Sequence, residues 1–166
     1  MHVGFKFDLT ASPLAGRLIY RSSEYSVDFI DCSREEVALS AGAKGCCSLA
    51  VGTLQIEVGV ETGRLLYPWG LCNLAHLESK CIPIKTIERA GIYIDYGGVE
   101  LAVGAAVELP GSICWRMFKD VATGWICIGN FDMSAKVRLI QFATNAMISL
   151  CGEVVIAVWI KPEVEP

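Results

Sequence analysis

Histidine is almost missing from this 166-residue chain, which contains only His2 and His76. Nucleophilic catalysis by Ser or Cys most often relies on a nearby imidazole, and His2 lies at a terminus, where chains fray. Hydrolytic chemistry is thereby narrowed to the surroundings of His76. Charge is sparse as well, at 19% of residues, and Lys and Arg are scattered singly. Direct nucleic-acid binding requires a basic patch that neutralises phosphates, and the sequence has none. Long apolar runs are lacking. The densest, Val154 to Ile160, ends at Lys161, well short of the ~20 residues of a spanning helix, so no membrane partner is expected. The opening Met1-His2-Val3-Gly4-Phe5-Lys6 has neither the basic nor the apolar region of a secretory signal, which predicts a cytoplasmic protein. No glycine-rich phosphate cradle links a strand to a helix, and no paired C-x-x-C knuckle occurs. No cofactor is expected.

What is present favours a folded β-rich chain. With 53% apolar residues and a mean hydropathy of +0.46, the composition is far from that of disordered chains and is sufficient for one domain over residues 1–166. Eight cysteines invite a disulfide reading, but Cys46 and Cys47 are adjacent and Cys114 and Cys127 lie in apolar strand patterns. Buried reduced thiols are expected.

One turn is written twice: Val60-Glu61-Thr62-Gly63 before Arg64-Leu65-Leu66-Tyr67, and Val121-Ala122-Thr123-Gly124 before Trp125-Ile126-Cys127-Ile128. Glycine after a short polar turn meets the positive φ that a hairpin demands. The flanks do not align further, so shared turn chemistry explains the repetition better than duplication does. Arg17 to Tyr20 and Tyr25 to Phe29 frame another hairpin, and Ser33-Arg34-Glu35-Glu36 fits a capping box opening a short helix that Gly42 ends. Ser48 to Val60 reads as one strand, with Leu54, Ile56 and Val58 on a dry face and Thr53, Gln55 and Glu57 on a wet one. Pro68-Trp69-Gly70 halts the return strand, and 71–87 is irregular. Strands are expected again over 92–96, 99–107, 112–118, 136–143, 145–150 and 154–160. The fold class is mainly β: antiparallel hairpins in a sandwich or barrel-like sheet, with one or two short helices.

Candidate sites are few. Cys72, His76 and Cys81 offer three soft ligands but no fourth, and His76 has no orienting partner for a Cys-His pair; whether they hold a metal stays open. A two-residue turn at Gly97-Gly98 would pair Asp95 with Glu100, Ile94 with Leu101 and Tyr93 with Ala102. Two carboxylates then face each other beside Tyr93, and something must compensate their repulsion. A cationic partner would do so, as would water at an exposed tip. A second acidic group comprises Asp28, Asp31, Glu35 and Glu36, with Glu36 accounted for by helix capping. Trp115, Trp125 and Trp159 sit in apolar strands, whereas Trp69, between Pro68 and Gly70, is placed to touch a partner.

Two passages, Glu57 to Gly70 and Gly152 to Glu163, look like segments of small bacterial proteins that accompany polymorphic toxins, including immunity proteins of contact-dependent growth inhibition. That resemblance implies a non-catalytic cytosolic protein that binds one cognate toxin domain and blocks it. Such toxins are often basic nucleases, and a chain with net charge −4 suits one. The partner-binding residues expected are Tyr93, Asp95, Glu100, Trp69, Asp28, Asp31 and Glu35. The alternative is a β-barrel or sandwich holding a small apolar ligand, which the apolar strands and tryptophans would line.

Overall fold

The computed structural model describes residues 3–95 and 101–165. The chain begins with β1 (Gly4–Asp8), the hairpin β2 (Arg17–Arg21) and β3 (Ser26–Ile30), and helix α1 (Arg34–Ala41). The three-stranded meander β4 (Cys46–Val51), β5 (Leu54–Gly59) and β6 (Leu65–Leu71) follows, then β7 (Glu78–Lys80), β8 (Ile87–Arg89), β9 (Gly91–Asp95) and β10 (Ala106–Glu108). A 3-10 turn (Ser112–Cys114) leads to the hairpin β11 (Met117–Asp120) and β12 (Ile126–Gly129). A second meander, β13 (Val137–Ala143), β14 (Ala146–Cys151) and β15 (Val154–Ile160), precedes β16 (Glu163–Glu165). The fold is mainly β and sandwich-like, without a closed barrel among the described residues. No helix there is long and apolar enough to cross a membrane.

Two seven-stranded sheets, ordered β10-β4-β5-β6-β3-β2-β16 and β7-β11-β12-β15-β14-β13-β8, are accompanied by the two-stranded β1-β9. Both large sheets follow one plan. A hairpin comes first, a meander second, and the last meander strand docks beside the hairpin's second strand: β6 beside β3, and β15 beside β12. In each sheet the last meander strand carries the extra residue of a bulge, between Leu65 and Pro68 in β6 and at Ile156 in β15.

The halves also exchange parts. β7 follows β6 yet pairs with β11, and β16 follows β15 yet pairs with β2. The leading strands β1 and β9 pair with each other. The Phe5 amide donates to Glu153 O (2.9 Å), ahead of β15, and the Ile94 amide donates to Gly63 O (2.8 Å), ahead of β6. The four edge strands, β7, β8, β10 and β16, are each three residues long and run parallel to their neighbours. Within the sheets, the antiparallel pairing expected from the sequence holds; at their edges, short parallel strands replace it. So short a strand limits further edge pairing.

Side-chain alternation places the core between the large sheets. Leu54, Ile56 and Val58 face Ile126, Ile128, Ile140, Ile148 and Val158 across it, within one apolar cluster. Sheet two has a second apolar layer on its other face: Trp125, Cys127, Leu139, Met147, Ala157 and Trp159, covered by Ile82, Ile84, Ile87, Phe131 and Met133. The long irregular stretch therefore has a structural task, as the cover of that face. Burial on both sides explains why β14 and β15 read as continuous apolar runs rather than alternating ones.

The two Thr-Gly turns have matching hydrogen bonds. Gly63 N donates to Gly59 O (2.8 Å) and Gly124 N to Asp120 O (2.9 Å), while the next amide donates to the threonine hydroxyl, Arg64 to Thr62 at 3.2 Å and Trp125 to Thr123 at 3.3 Å. One turn joins β5 to β6 and the other β11 to β12, positions that do not correspond in the repeated plan. Turn chemistry, not descent from one segment, makes them alike. Ser33 Oγ accepts from the Glu36 amide at 3.2 Å, as the cap predicted.

Four expectations need correction. The strand foreseen over 48–60 is a hairpin, because Gly52 takes φ +63 and turns β4 into β5. β6 is not halted at Pro68: it continues to Leu71, with Pro68 opposite Ile56. Its missing N–H costs no ladder bond, since β3 pairs with β6 only at Gly70 and Leu71. Cys114 is exposed in the 3-10 turn, not buried in a strand, since Gly111 at φ +79 delays β11 to Met117. Finally, β9 does not turn back onto 101–105. Phe5 pairs with Ile94 and Lys6 with Tyr93, occupying the places expected for Leu101 and Ala102.

Candidate functional site

Among the described residues, sheet one, unlike sheet two, has no apolar cover over its outer face. On β5 and β6, Gln55 stands opposite Trp69, and Ser48 of β4 opposite Glu57. The Ser48 hydroxyl donates to Gln55 Oε1 at 2.6 Å. Burial pushes the Glu57 carboxyl above its ordinary range, partly offset by the approaching indole N–H of Trp69. That N–H is buried but, among the described residues, does not reach full hydrogen-bond geometry with any acceptor. Tyr67 stacks on Phe29, with ring centroids 5.2 Å apart, and burial, together with Glu57 and two nearby thiols, pushes its phenol up to about 12.

The repeated plan supplies a direct comparison. Trp69 precedes Gly70, which pairs with the first residue of β5, and Trp159 precedes Ile160, which pairs with the first residue of β14. Glu57 and Ser149 are the fourth residues of those strands. In sheet two the pair is sealed: Trp159 is fully buried and donates to Ser149 Oγ at 2.8 Å. In sheet one the pair is only half-buried, and a carboxylate replaces the hydroxyl. The same local device is closed in one half and open in the other.

The outer face continues across β3, β2 and β16 as a charged ladder. Arg17 is held between Glu163 (3.0 Å) and Asp31 (3.2 Å), and Arg21 between Asp28 and Glu165 (3.8 Å). The hydrogen bonds that Arg17 donates to the Glu163 and Asp31 carboxylates raise its affinity for its proton. Between the two arginines, opposite Asp28 and Glu163, Ile19 is fully buried. Asp28, Asp31, Glu57, Glu163 and Glu165 outnumber Arg17 and Arg21 on this surface, which stays net negative.

The sequence-derived candidates are thus divided. Trp69 and Asp28 lie on this face by strand alternation, and Asp31 joins it through Arg17. Glu35 is exposed in the first turn of α1. Tyr93 and Asp95 are elsewhere, on β9, where Lys6 of β1 lies 3.5 Å from the Asp95 carboxylate. Lys6 supplies compensation that the sequence reading sought outside the molecule. Glu100 and the Gly97-Gly98 turn lie outside the described residues. The sequence reading missed Glu57, Tyr67, Arg17, Arg21, Glu163 and Glu165. The alternation of Gln55 and Glu57 along β5 was its available signal; the contribution of β16 had none, because its partner β2 is more than a hundred residues away.

The thiol and imidazole candidates do not converge. Cys72 is buried with its Sγ 3.9 Å from Met117 Sδ, and burial pushes it up to about 11. Cys81 and His76 are exposed. Cys127 is buried and pushed up to about 12. All eight cysteines are free thiols, and the raised values at Cys72 and Cys127 disfavour, at those two positions, the thiolate that nucleophilic or metal chemistry needs. Among the described residues, no group of three or more His, Cys, Asp or Glu is arranged to hold a metal ion.

No protein-family model, no curated protein and no solved structure matches this chain.

Proposed function

We propose that this chain is a non-catalytic, cytoplasmic immunity-type protein that neutralises a cognate, basic toxin domain by holding it against the outer face of sheet one. The observation that supports this reading is the contrast between the two outer faces. Sheet two buries its Trp159 and Ser149 pair beneath Ile82, Ile84 and Ile87, whereas sheet one leaves Trp69 and Glu57 half-open beside the ladder of carboxylates and arginines. An aromatic anchor next to a net-negative surface suits a basic protein partner. Neither nucleic acid nor membrane is part of the proposal.

Growth rescue tests it. Where the product of an adjacent reading frame arrests growth, co-expression with this chain should restore it, and the pair should co-purify. Reversing charge at two ladder positions, Asp28→Lys with Glu163→Lys, should weaken binding at least ~10-fold and reduce its salt dependence. Full affinity in that variant would remove the face from the interface, and toxicity undiminished by the wild-type chain would remove the function.

A further inference from the structure

A cleft of about 620 Å³ opens where the hairpins of the two halves face one another. Both halves supply it with corresponding elements. Hairpin β2-β3 contributes Tyr20 and Tyr25, hairpin β11-β12 contributes Lys119 and Ile126, and the segments after the two meanders contribute His76 and Val164. Tyr20 and Ile126 are buried in it; Tyr25, His76, Lys119 and Val164 are exposed around them. The volume lies within the range of small-molecule sites.

Its chemistry runs against that of the chain. The protein carries 18 acidic residues against 14 basic ones, yet a lysine, a histidine and two tyrosines line the cleft and, among the described residues, no carboxylate does. The side chain of Lys119 makes no ion pair or hydrogen bond among the described residues. Its ammonium is available to a ligand.

The backbone around the cleft is unusual too. Tyr25 (φ +51) and His76 (φ +59) are two of the four described non-glycine residues in the left-handed region. Such a conformation is uncommon for a bulky residue and persists only where the surroundings hold it. Here the Cys72 amide donates to Tyr25 O at 2.8 Å and the Leu74 amide to Tyr20 Oη at 3.2 Å, fastening the His76 segment to the first hairpin.

We propose that this cleft binds a small aromatic carboxylate. The tyrosines and apolar side chains suit a flat apolar body, and one lysine suits a single negative charge at the rim. A phosphate would call for more donors than the cleft offers. The proposal is independent of the toxin-binding face, because none of the residues lining the cleft belongs to the Arg17 and Arg21 ladder or to the Trp69 and Glu57 pair.

Titration of the purified chain with 2-naphthoate and with 2-naphthamide, followed by calorimetry and amide NMR shifts, provides the test. Saturable binding of the carboxylate is expected, with shifts at Tyr25, His76 and Lys119. The amide should bind about 10-fold more weakly. Lys119→Met should lose about the same factor, and Lys44→Met, at an exposed lysine outside the cleft lining, should lose nothing. Tyr25→Gly, which relieves the left-handed strain while removing the ring, should keep the fold by circular dichroism and weaken binding. No saturation at millimolar 2-naphthoate, equal affinity for the amide, or unchanged binding in Lys119→Met would each overturn the proposal.

Discussion

Asp120 shows how one side chain can hold distant segments together. It is fully buried, accepting from the Ile82 amide (2.9 Å), the Thr123 amide (3.0 Å) and the Thr123 hydroxyl (2.6 Å). Burial raises its pKa, but the hydrogen bonds outweigh burial and leave it below the ordinary carboxylate value. The unfolded chain therefore binds the proton more readily, and the stabilisation is lost as pH falls through the lowered native value. Asp120→Asn replaces one acceptor by a donor facing Thr123. It should cost about 1–3 kcal/mol in urea unfolding at pH 7 and lessen the acid sensitivity. Glu57 has the opposite sign. Its raised pKa means that the native state keeps the proton longer, so this residue's contribution to stability falls as pH rises from the unfolded value toward the native one. Glu57→Gln should remove that decline and be the more stable protein at pH 7, as urea titrations at several pH values would reveal. At Gly63 the constraint is steric. With φ +73 and a Cβ that would lie 2.7 Å from Ile94 O, Gly63→Ala should cost about 2–4 kcal/mol, read from its unfolding midpoint.

At the scale of elements, several hairpins were legible, though not the one that Gly52 turns between β4 and β5, and their neighbours were not. The turns at Thr62-Gly63 and Thr123-Gly124, the cap at Ser33 and the pairing of Arg17 to Arg21 with Ser26 to Ile30 each depend on residues close in sequence. The exchanged edge strands depend on contacts between residues far apart in the chain, β7 with β11 and, from opposite ends, β16 with β2. β16 has only three residues, all exposed, and no apolar alternation would have identified it. It nonetheless completes sheet one: the Ser22 amide donates to Glu165 O at 3.1 Å and Arg17 is held by Glu163. Removing residues 162–166 should bare the edge of β2. The expected result is dimers or larger species by size-exclusion chromatography, together with a lower melting temperature, because an unprotected edge accepts another strand.

Across the whole molecule, two similar sheets meet unlike surroundings. Sheet two is buried on both faces and sheet one on one face. Native-state hydrogen exchange should therefore be slowest in β13, β14 and β15 and faster in β2 and β16, since exchange follows the local cost of opening. Uniform protection of both sheets would contradict this division. The same asymmetry leaves the candidate partner face open, and it arises from where one irregular segment runs: 81–87 crosses sheet two. In the sequence, Ile82, Ile84 and Ile87 look like loop residues without a period. Their role emerges only once Trp159 and Met147 lie beneath them.

The amino-acid sequence by itself determined that the chain is built of extended segments, where several of them reverse, where the helix starts, and which side of β5 is dry. These features are set by turn conformation, capping and two-residue alternation, all acting over a few neighbours. Tertiary structure alone decided that β9 pairs with β1, that each half completes the other's sheet, and that Trp69, Glu57 and Asp28 share one surface while Asp95 does not. Every strand offers the same backbone donors and acceptors to any neighbour. Which neighbour it takes is set by the joint burial of side chains far apart in the chain.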